Sequence, residues 1–315
     1  MPHNYPTLAD LVADRFQLAD DLASDLLNDA PFLRMLPMVE ASDGTVDRYP
    51  KKVGEPVVGF RTVSTGRDMS KGSTIEMVAA LALLDWTSEL PTAQAHANRK
   101  LSPMQHVMDH ALEHLAAALS AYEKQVFNGK IAGDAVGFDG FLDTETLGNS
   151  DSEMVVNAGG TAVGAATSVY AVRLGDGAVK GVRKGYGEAF EVGETVVSKI
   201  DDGTGKTLPG YYTPGEAWLG LRMGSKFSVG RICNITDQDN HRLDDQLISK
   251  LLAKFPAGKG ATHLVMNRDA QQMLQASRTA TNPTGAPAPF PETAYKLPIT
   301  TTDSITSTEP LAVAA

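Results

Sequence analysis

The sequence predicts an α+β fold organised on one long helix. Three observations carry that prediction. Residues 103–128 place apolar side chains at helical spacing without a break. From Gly129 onward, short β-branched runs are punctuated by glycine turns. No internal repeat and no tandem-domain linker divides the 315 residues, so helices and strands share one architecture with room for two lobes.

Residues 7–29 read as short helices. Thr7 can cap the first, and Leu8, Leu11, Val12, Leu22, Leu26 and Leu27 form a thin apolar stripe. So thin a stripe predicts an arm that packs on something else. Residues 44–78 read as a long β-hairpin, with strand character from Val57, Val58, Phe60 and Val63 and punctuation by Gly54, Gly59, Gly66 and Gly72. It has too few apolar residues for its own core and must be flexible or lie on a partner. Residues 77–86 read as a buried strand or short helix.

The long helix is signalled at both ends. Ser102 is a good N-cap, Pro103 suits the first helical position, and Gln105 completes a capping box. Asn128-Gly129 stops it. The span is about 39 Å at the helical rise per residue. Val107, Met108, Ala111, Leu112, Leu115, Ala118, Leu119, Tyr122 and Val126 make one stripe. One stripe and one wet face predict a helix lying on a sheet or partner, not passing through a core.

Further on, residues 169–173 read as a strand, Gly175-Asp176-Gly177 as a turn, and 179–182 as a return strand. Residues 188–200 and 218–235 are further strands. Residues 243–255 form an amphipathic helix burying Leu247, Ile248, Leu251 and Leu252, with 237–240 as its cap. Residues 262–266 are a short buried strand, and Asn267 caps a helix running to about Ser277. Pro283, Pro287, Pro289, Pro291 and Pro298 mark a long loop before a Thr-rich final strand over 299–308.

Composition narrows the function. Apolar content of 42% and charge of 21% are ordinary for a soluble globular protein. The single Cys233 cannot form an internal disulfide and reads as a buried thiol in a reducing compartment. The longest apolar run, 77–84, is far short of a membrane span, and the N-terminus lacks a signal pattern. A net charge of −10 argues against a protein that reads nucleic-acid sequence. The charge is uneven. Residues 1–45 set Arg15 and Arg34 against Asp10, Asp14, Asp20, Asp21, Asp25, Asp29, Glu40 and Asp43. Residues 46–76 set Arg48, Lys51, Lys52, Arg61, Arg67 and Lys71 against only Asp47, Glu55, Asp68 and Glu76. One reading is ordinary solvated surface. The sharper one makes those six cations, with Asp10, Asp14, Asp20 and Asp21, intersubunit contacts of a basic hairpin and an acidic arm.

Candidate chemistry is sparse. His110-Ala111-Leu112-Glu113-His114 matches an inverted zinc-peptidase pattern, in which two histidines share a zinc and the Glu acts as general base. His106 lies one turn earlier. These residues fall on the wet face, and no second acidic motif presents a third ligand. A zinc metallopeptidase is therefore kept only as the alternative from another class. Gly203-Thr204-Gly205-Lys206-Thr207 imitates the end of a phosphate loop, but Ile200 stands where glycine is required and Leu208-Pro209-Gly210 forbids the following helix. It reads as a hairpin turn. Asn234-Ile235-Thr236 is a formal glycosylation sequon without a secretion signal. Trp86 and Trp218 read as core. No residue is assigned a catalytic, cofactor-binding or metal-binding role.

An ordered set of segments follows the long helix: Val126-Phe127-Asn128-Gly129, Gly137-Phe138-Asp139-Gly140-Phe141 and Val155-Val156-Asn157-Ala158-Gly159-Gly160-Thr161. Then come the stretches 167–175 and 179–185, Trp218-Leu219-Gly220-Leu221, Gly230-Arg231-Ile232-Cys233-Asn234-Ile235, Met266-Asn267-Arg268 and 297–306. In this order and spacing they resemble the major capsid proteins of tailed bacteriophages, the podophage-type group with the Hong Kong 97-like fold, over roughly residues 40–310. The resemblance implies an N-terminal arm (1–43), an extended loop (44–78), a peripheral domain (79–130 and 291–315) carrying the spine helix, and an axial domain (131–290) with strands returning to the peripheral domain. It implies self-assembly into pentamers and hexamers, and then an icosahedral head shell around DNA. The partners implied are a scaffolding protein, a portal protein, a possible decoration protein and packaged double-stranded DNA held without sequence specificity. The location implied is the virion, after assembly in the bacterial host cytoplasm. The short arm after Met1 favours a separate scaffolding protein. Lys71 sits in a loop where some members crosslink a Lys to a neighbour's Asn, but no motif carries that chemistry over. An encapsulin-like nanocompartment shell shares the fold and is the alternative.

Overall fold

Two strands with no polar alternation pair antiparallel at the centre of a six-stranded sheet: β7 (Thr167–Val172) and β13 (Val229–Ile235). Runs this continuous need cover on both faces. A computed structural model of the chain describes residues 5–16, 26–54, 56–66, 72–97, 102–280 and 286–313. In it β13 also pairs parallel with β6 (Val155–Asn157). On the other side, β7 pairs with β14 (His263–Met266), followed by β16 (Leu297–Thr301) and β15 (Thr293–Ala294).

Side chains alternate across this sheet. Tyr170 and its cross-strand neighbour Arg231 face one side, where Tyr170 meets Phe127 and Phe141 at ring distances of 5.3 and 5.7 Å. Ala171 and Gly230 face the other, where a Cβ on Gly230 would stand 2.9 Å from Leu251 of the helix Asp245–Leu252. The sheet is thus sandwiched between aromatic rings around the long helix and the amphipathic helix.

A second sheet sets β1 (Met38–Glu40), β8 (Val179–Arg183), β12 (Gly215–Met223) and β4 (Ala82–Asp85) side by side, with β9 (Glu191–Val192) on the start of β12. A third joins β10 (Val196–Asp201), β11 (Thr207–Thr213) and β5 (Ser88–Pro91). The β10–β11 connection is the expected hairpin turn: Asp202 Oδ1 accepts from the amides of Thr204 at 2.8 Å and Lys206 at 3.1 Å. Finally, β2 (Val46–Lys52) and β3 (Thr74–Ala80) form a two-stranded ribbon.

The long helix, Pro103–Ala132, ties these sheets together. Its capping box is formed: Gln105 N donates to Ser102 Oγ and Ser102 N to Gln105 Oε1, both at 3.2 Å. The predicted stop holds too. Gly129 breaks the helix at φ 58°, and a Cβ there would lie 1.9 Å from the Asp143 carboxylate, so only glycine fits. The first turns pack Val107 with Leu90 of the third sheet and Ala95 of the short helix Thr92–Ala97. Farther along, the Tyr122 hydroxyl donates to Gly220 O of β12 at 3.0 Å. The last turns are largely enclosed, with Tyr122, Glu123, Gln125, Val126, Phe127 and Asn128 buried and Lys124 between them exposed. The expectation of one wet face therefore fails where the helix enters the core.

Other expectations need correction. Residues 179–182 do not return beside 169–173: β7 and β8 lie in different sheets, and Gly175–Gly177 carries the chain between them. Residues 77–86 are not buried as a block. Exposed β3 and half-exposed β4 flank the buried Leu81. The cap of the helix Asp245–Leu252 is Asp244, whose Oδ1 accepts from Leu247 N at 2.7 Å, while Asp237 pairs with Arg242. Asn267 does cap its helix, accepting from Ala270 N at 2.8 Å. The last strand ends at Thr301 because Thr302 turns into the core. The thin N-terminal stripe packs on its own chain: Leu8, Val12 and Leu27 are buried with Phe32, Leu33 and Leu36, while Leu22 lies outside the described residues.

Candidate functional site

The β2–β3 ribbon is anchored on one face and bare on the other. Asp47 and Tyr49 point inward and are buried. Arg222 of β12 reaches Asp47 at 3.4 Å and lies 4.8 Å over the Tyr49 ring, and Met223 N donates to the Tyr49 hydroxyl at 3.2 Å. Strand alternation then turns Arg48 and Lys52 outward, both exposed, and leaves Lys51 half-buried on the anchored face. Past Lys52 the strand ends. The expected strand at Val57, Val58, Phe60 and Val63 is absent: residues 56–66 form an irregular, exposed loop that pairs with no strand among the described residues. Phe60 and Val63 are fully exposed, and Val58, Ile75 and Val78 are about half or more exposed. Arg61 donates to Thr65 O at 3.1 Å. Arg67 and Lys71 lie outside the described residues.

The acidic arm is less uniform than its composition. The Asp10 carboxylate accepts from both the amide and the hydroxyl of Thr7 at 2.8 Å, so it closes the start of the helix Leu8–Phe16. Asp14 is exposed, and Asp20 and Asp21 lie outside the described residues.

On the long helix, His110 Nδ1 is hydrogen-bonded to Ser88 Oγ of β5 at 2.7 Å, and its ring lies 4.6 Å from that of His114. Burial and the neighbouring His114 hold its pKa below the usual imidazole value, with Glu113 opposing them. Among the described residues, no three His, Cys, Asp or Glu side chains converge so as to hold a metal ion. Beside this row, Trp86, Met104, Met108, Leu112, Val192 and Thr213 line an apolar cleft of about 350 Å³. An adjoining hollow shares Val192 and Gly193 with it and is lined by Glu188, Glu191 and Glu216. Met108, expected on the apolar stripe, is more than half exposed at the mouth of this cleft, as is Met104.

Sequence reasoning missed a set of buried polar residues that lock the ends of the chain to the core. Glu123 accepts from the amides of Phe32 at 2.9 Å and Leu33 at 3.3 Å, and from the Thr302 hydroxyl. Burial pushes its carboxyl up to about 7 against these hydrogen bonds. Asn128 donates to Ser304 O at 3.2 Å. Arg231 and Glu309 form a buried ion pair at 3.0 Å, to which the Ser168 hydroxyl donates at 2.5 Å. A signal did exist in the helix. Between Tyr122 and Gly129 no continuous polar face can be drawn, so Glu123, Gln125 and Asn128 fall among buried side chains while Lys124 stays exposed.

A family model described as major capsid protein GP7 matches residues 18–313. No curated protein sequence matches the chain. Among solved structures, the chain is similar to that of bacteriophage Epsilon15, with a TM-score of 0.61 at 16% identity, covering 88% of each chain. It is also similar to the bacteriophage JBD30 capsid, with a TM-score of 0.52 at 10% identity, covering 89% of this chain and 92% of that one. These likenesses establish the Hong Kong 97-like fold. The SrpI encapsulin of Synechococcus elongatus PCC 7942 is more distant, with a TM-score of 0.43 at 9% identity over 67% of this chain and 90% of that one.

Proposed function

The chain belongs to the major capsid protein GP7 family, and from that premise we propose how its parts build a phage head. As a major capsid protein it self-assembles into the icosahedral shell of a tailed bacteriophage and resides in the virion. The match over residues 18–313 carries this conclusion. In our reading the capsomers are pentamers and hexamers. Residues 1–43 act as the arm, 44–78 as the extended loop, 79–130 with 291–315 as the peripheral domain, and 131–290 as the axial domain. The shell closes in the bacterial host cytoplasm on a scaffolding protein, carries a portal, accepts a decoration protein, and holds double-stranded DNA without reading its sequence.

The physical support is the ribbon. An exposed strand pair ending in a bare Phe60 and Val63 is an aggregation hazard on a lone subunit. In a closed assembly the same surface becomes buried interface. The work of the protein is then mechanical. Many weak contacts are repeated around the shell, and the overlap of loops adds strength. The net charge of −10 suits a wall that lies beside packed DNA without gripping it. Electron microscopy of the purified chain, with and without scaffolding protein, tests the proposal. Rings and closed shells are expected. Discrete small particles under every condition would contradict it.

A further inference from the structure

The histidine row on the long helix takes no part in the shell reading. Residues four apart on a helix are neighbours, with Cβ atoms about 5–6 Å apart. His110 and His114 use that spacing: their ring centroids lie 4.6 Å apart and the planes are tilted by 44°. Both side chains are half-buried, so the pair keeps one side open to water. Ser88 of β5 fixes the first ring. Its Oγ lies 2.7 Å from His110 Nδ1, which leaves Nε2 as the nitrogen without a hydrogen bond. Among the described residues the His114 ring makes no hydrogen bond. His241 and His263 differ, each bonded through Nδ1 to an oxygen of the protein with no second imidazole beside it.

This arrangement has the form of a chelate. A histidine that binds a metal characteristically has its other ring nitrogen bonded to the protein, which sets the tautomer and aims the free nitrogen. A metal–nitrogen bond of about 2.0–2.1 Å puts the ring centroid about 3.2 Å from the ion. Two such ligands then place their centroids about 4.5 Å apart at a right angle and about 5.2 Å apart at the tetrahedral angle. The observed 4.6 Å matches the right angle. That is the cis geometry of tetragonal sites, which suits Cu²⁺ and Ni²⁺ better than Zn²⁺. No third His, Cys, Asp or Glu converges on the pair among the described residues, so water fills the remaining positions. We infer that His110 and His114 chelate one divalent transition-metal ion across one turn of the long helix. Ser88 is a positioning residue that holds the His110 ring and ties the site to β5. Hard cations such as Mg²⁺ and Ca²⁺, which take oxygen ligands, are excluded. The inference stands apart from the shell reading, since the two ligands belong to one copy of the chain.

The test titrates the untagged full chain with NiCl₂ by calorimetry, as subunits and as assembled shells. One Ni²⁺ per chain is expected, with MgCl₂ giving no heat of binding. His110→Ala and His114→Ala should each weaken binding at least tenfold, and Ser88→Ala by roughly tenfold or more. His3→Ala and His241→Ala should leave it unchanged. Electron paramagnetic resonance of the Cu²⁺-loaded chain supplies a signature that does not depend on a variant folding. Coupling to two imidazole nitrogens is expected in the wild type and to one in His114→Ala. Binding that survives both histidine substitutions would show an adventitious ion only, spread over scattered side chains, and would overturn the site. So would a wild-type spectrum with a single coupled imidazole.

Discussion

The ribbon and the central sheet draw on the same residue types and put them to opposite use. Val58, Val63 and Phe60 are bare, whereas Val169, Val172, Val229 and Phe127 are wholly or almost wholly buried. Both stretches are rich in β-branched or aromatic residues. The difference lies in what runs alongside. Each central strand has partners on both edges and cover on both faces, while residues 56–66 have no strand partner among the described residues. Apolar character alone does not make a core. It marks surface that must be covered, and the cover can come from the same chain or from another.

The largest expected effect separates the two regions directly. Phe127→Ala should lower subunit stability by roughly 3–5 kcal/mol, since it opens a cavity among Phe32, Phe141 and Tyr170. Phe60→Ala should change it by no more than about 0.5 kcal/mol. Denaturant unfolding of both variants checks this, and equal losses would erase the contrast. Next in size is the buried ion pair. Arg231→Leu leaves Glu309 charged and unpaired in the core and should cost about 3–5 kcal/mol, whereas Arg231→Leu with Glu309→Leu should recover much of that loss. A double-mutant cycle measures the recovery.

A third prediction concerns Glu123. Its folded-state pKa, about 7, lies above the ordinary carboxyl value of 4.5, so burial disfavours the ionised form. Its contribution to stability is therefore full below pH ~4.5 and lost as pH rises through 7, by roughly 3 kcal/mol in all. Thermal unfolding from pH 5 to 8 should fall more steeply for the wild type than for Glu123→Gln. Parallel curves would show that the carboxyl does not titrate in this range.

Much of this architecture was legible in the residues. Ser102, Pro103 and Gln105 placed the start of the long helix, and Gly129 its break, because caps are local chemistry. The Gly203–Lys206 turn and the Asn267 cap followed for the same reason. What escaped was long-range. Nothing near Gly175–Gly177 records that β7 and β8 join different sheets. Nothing near Glu123 records that the amides of Phe32 and Leu33, 90 or more residues away, will fold onto it. Asp244 took the cap expected of residues 237–240 because the helix starts only at Asp245, while Asp237 pairs with Arg242. Asp10 of the acidic arm also has a local task, since it is engaged by Thr7.

Two smaller effects sharpen the comparison. Lys51→Glu with Lys52→Glu should weaken shell assembly more than subunit folding, read by shell yield beside the unfolding midpoint. Equal losses would count against an intersubunit ribbon. Ser102→Ala removes the capping box and should lower stability by about 1 kcal/mol while leaving ribbon contacts untouched.

The central claim is that the bare apolar residues of the ribbon are covered by other copies of the chain. Hydroxyl-radical footprinting of Phe60 and Val63, in dissociated subunits and in closed shells, tests it most directly. Strong labelling in the subunit and near-complete protection in the shell are predicted. Equal labelling in both states would contradict the claim.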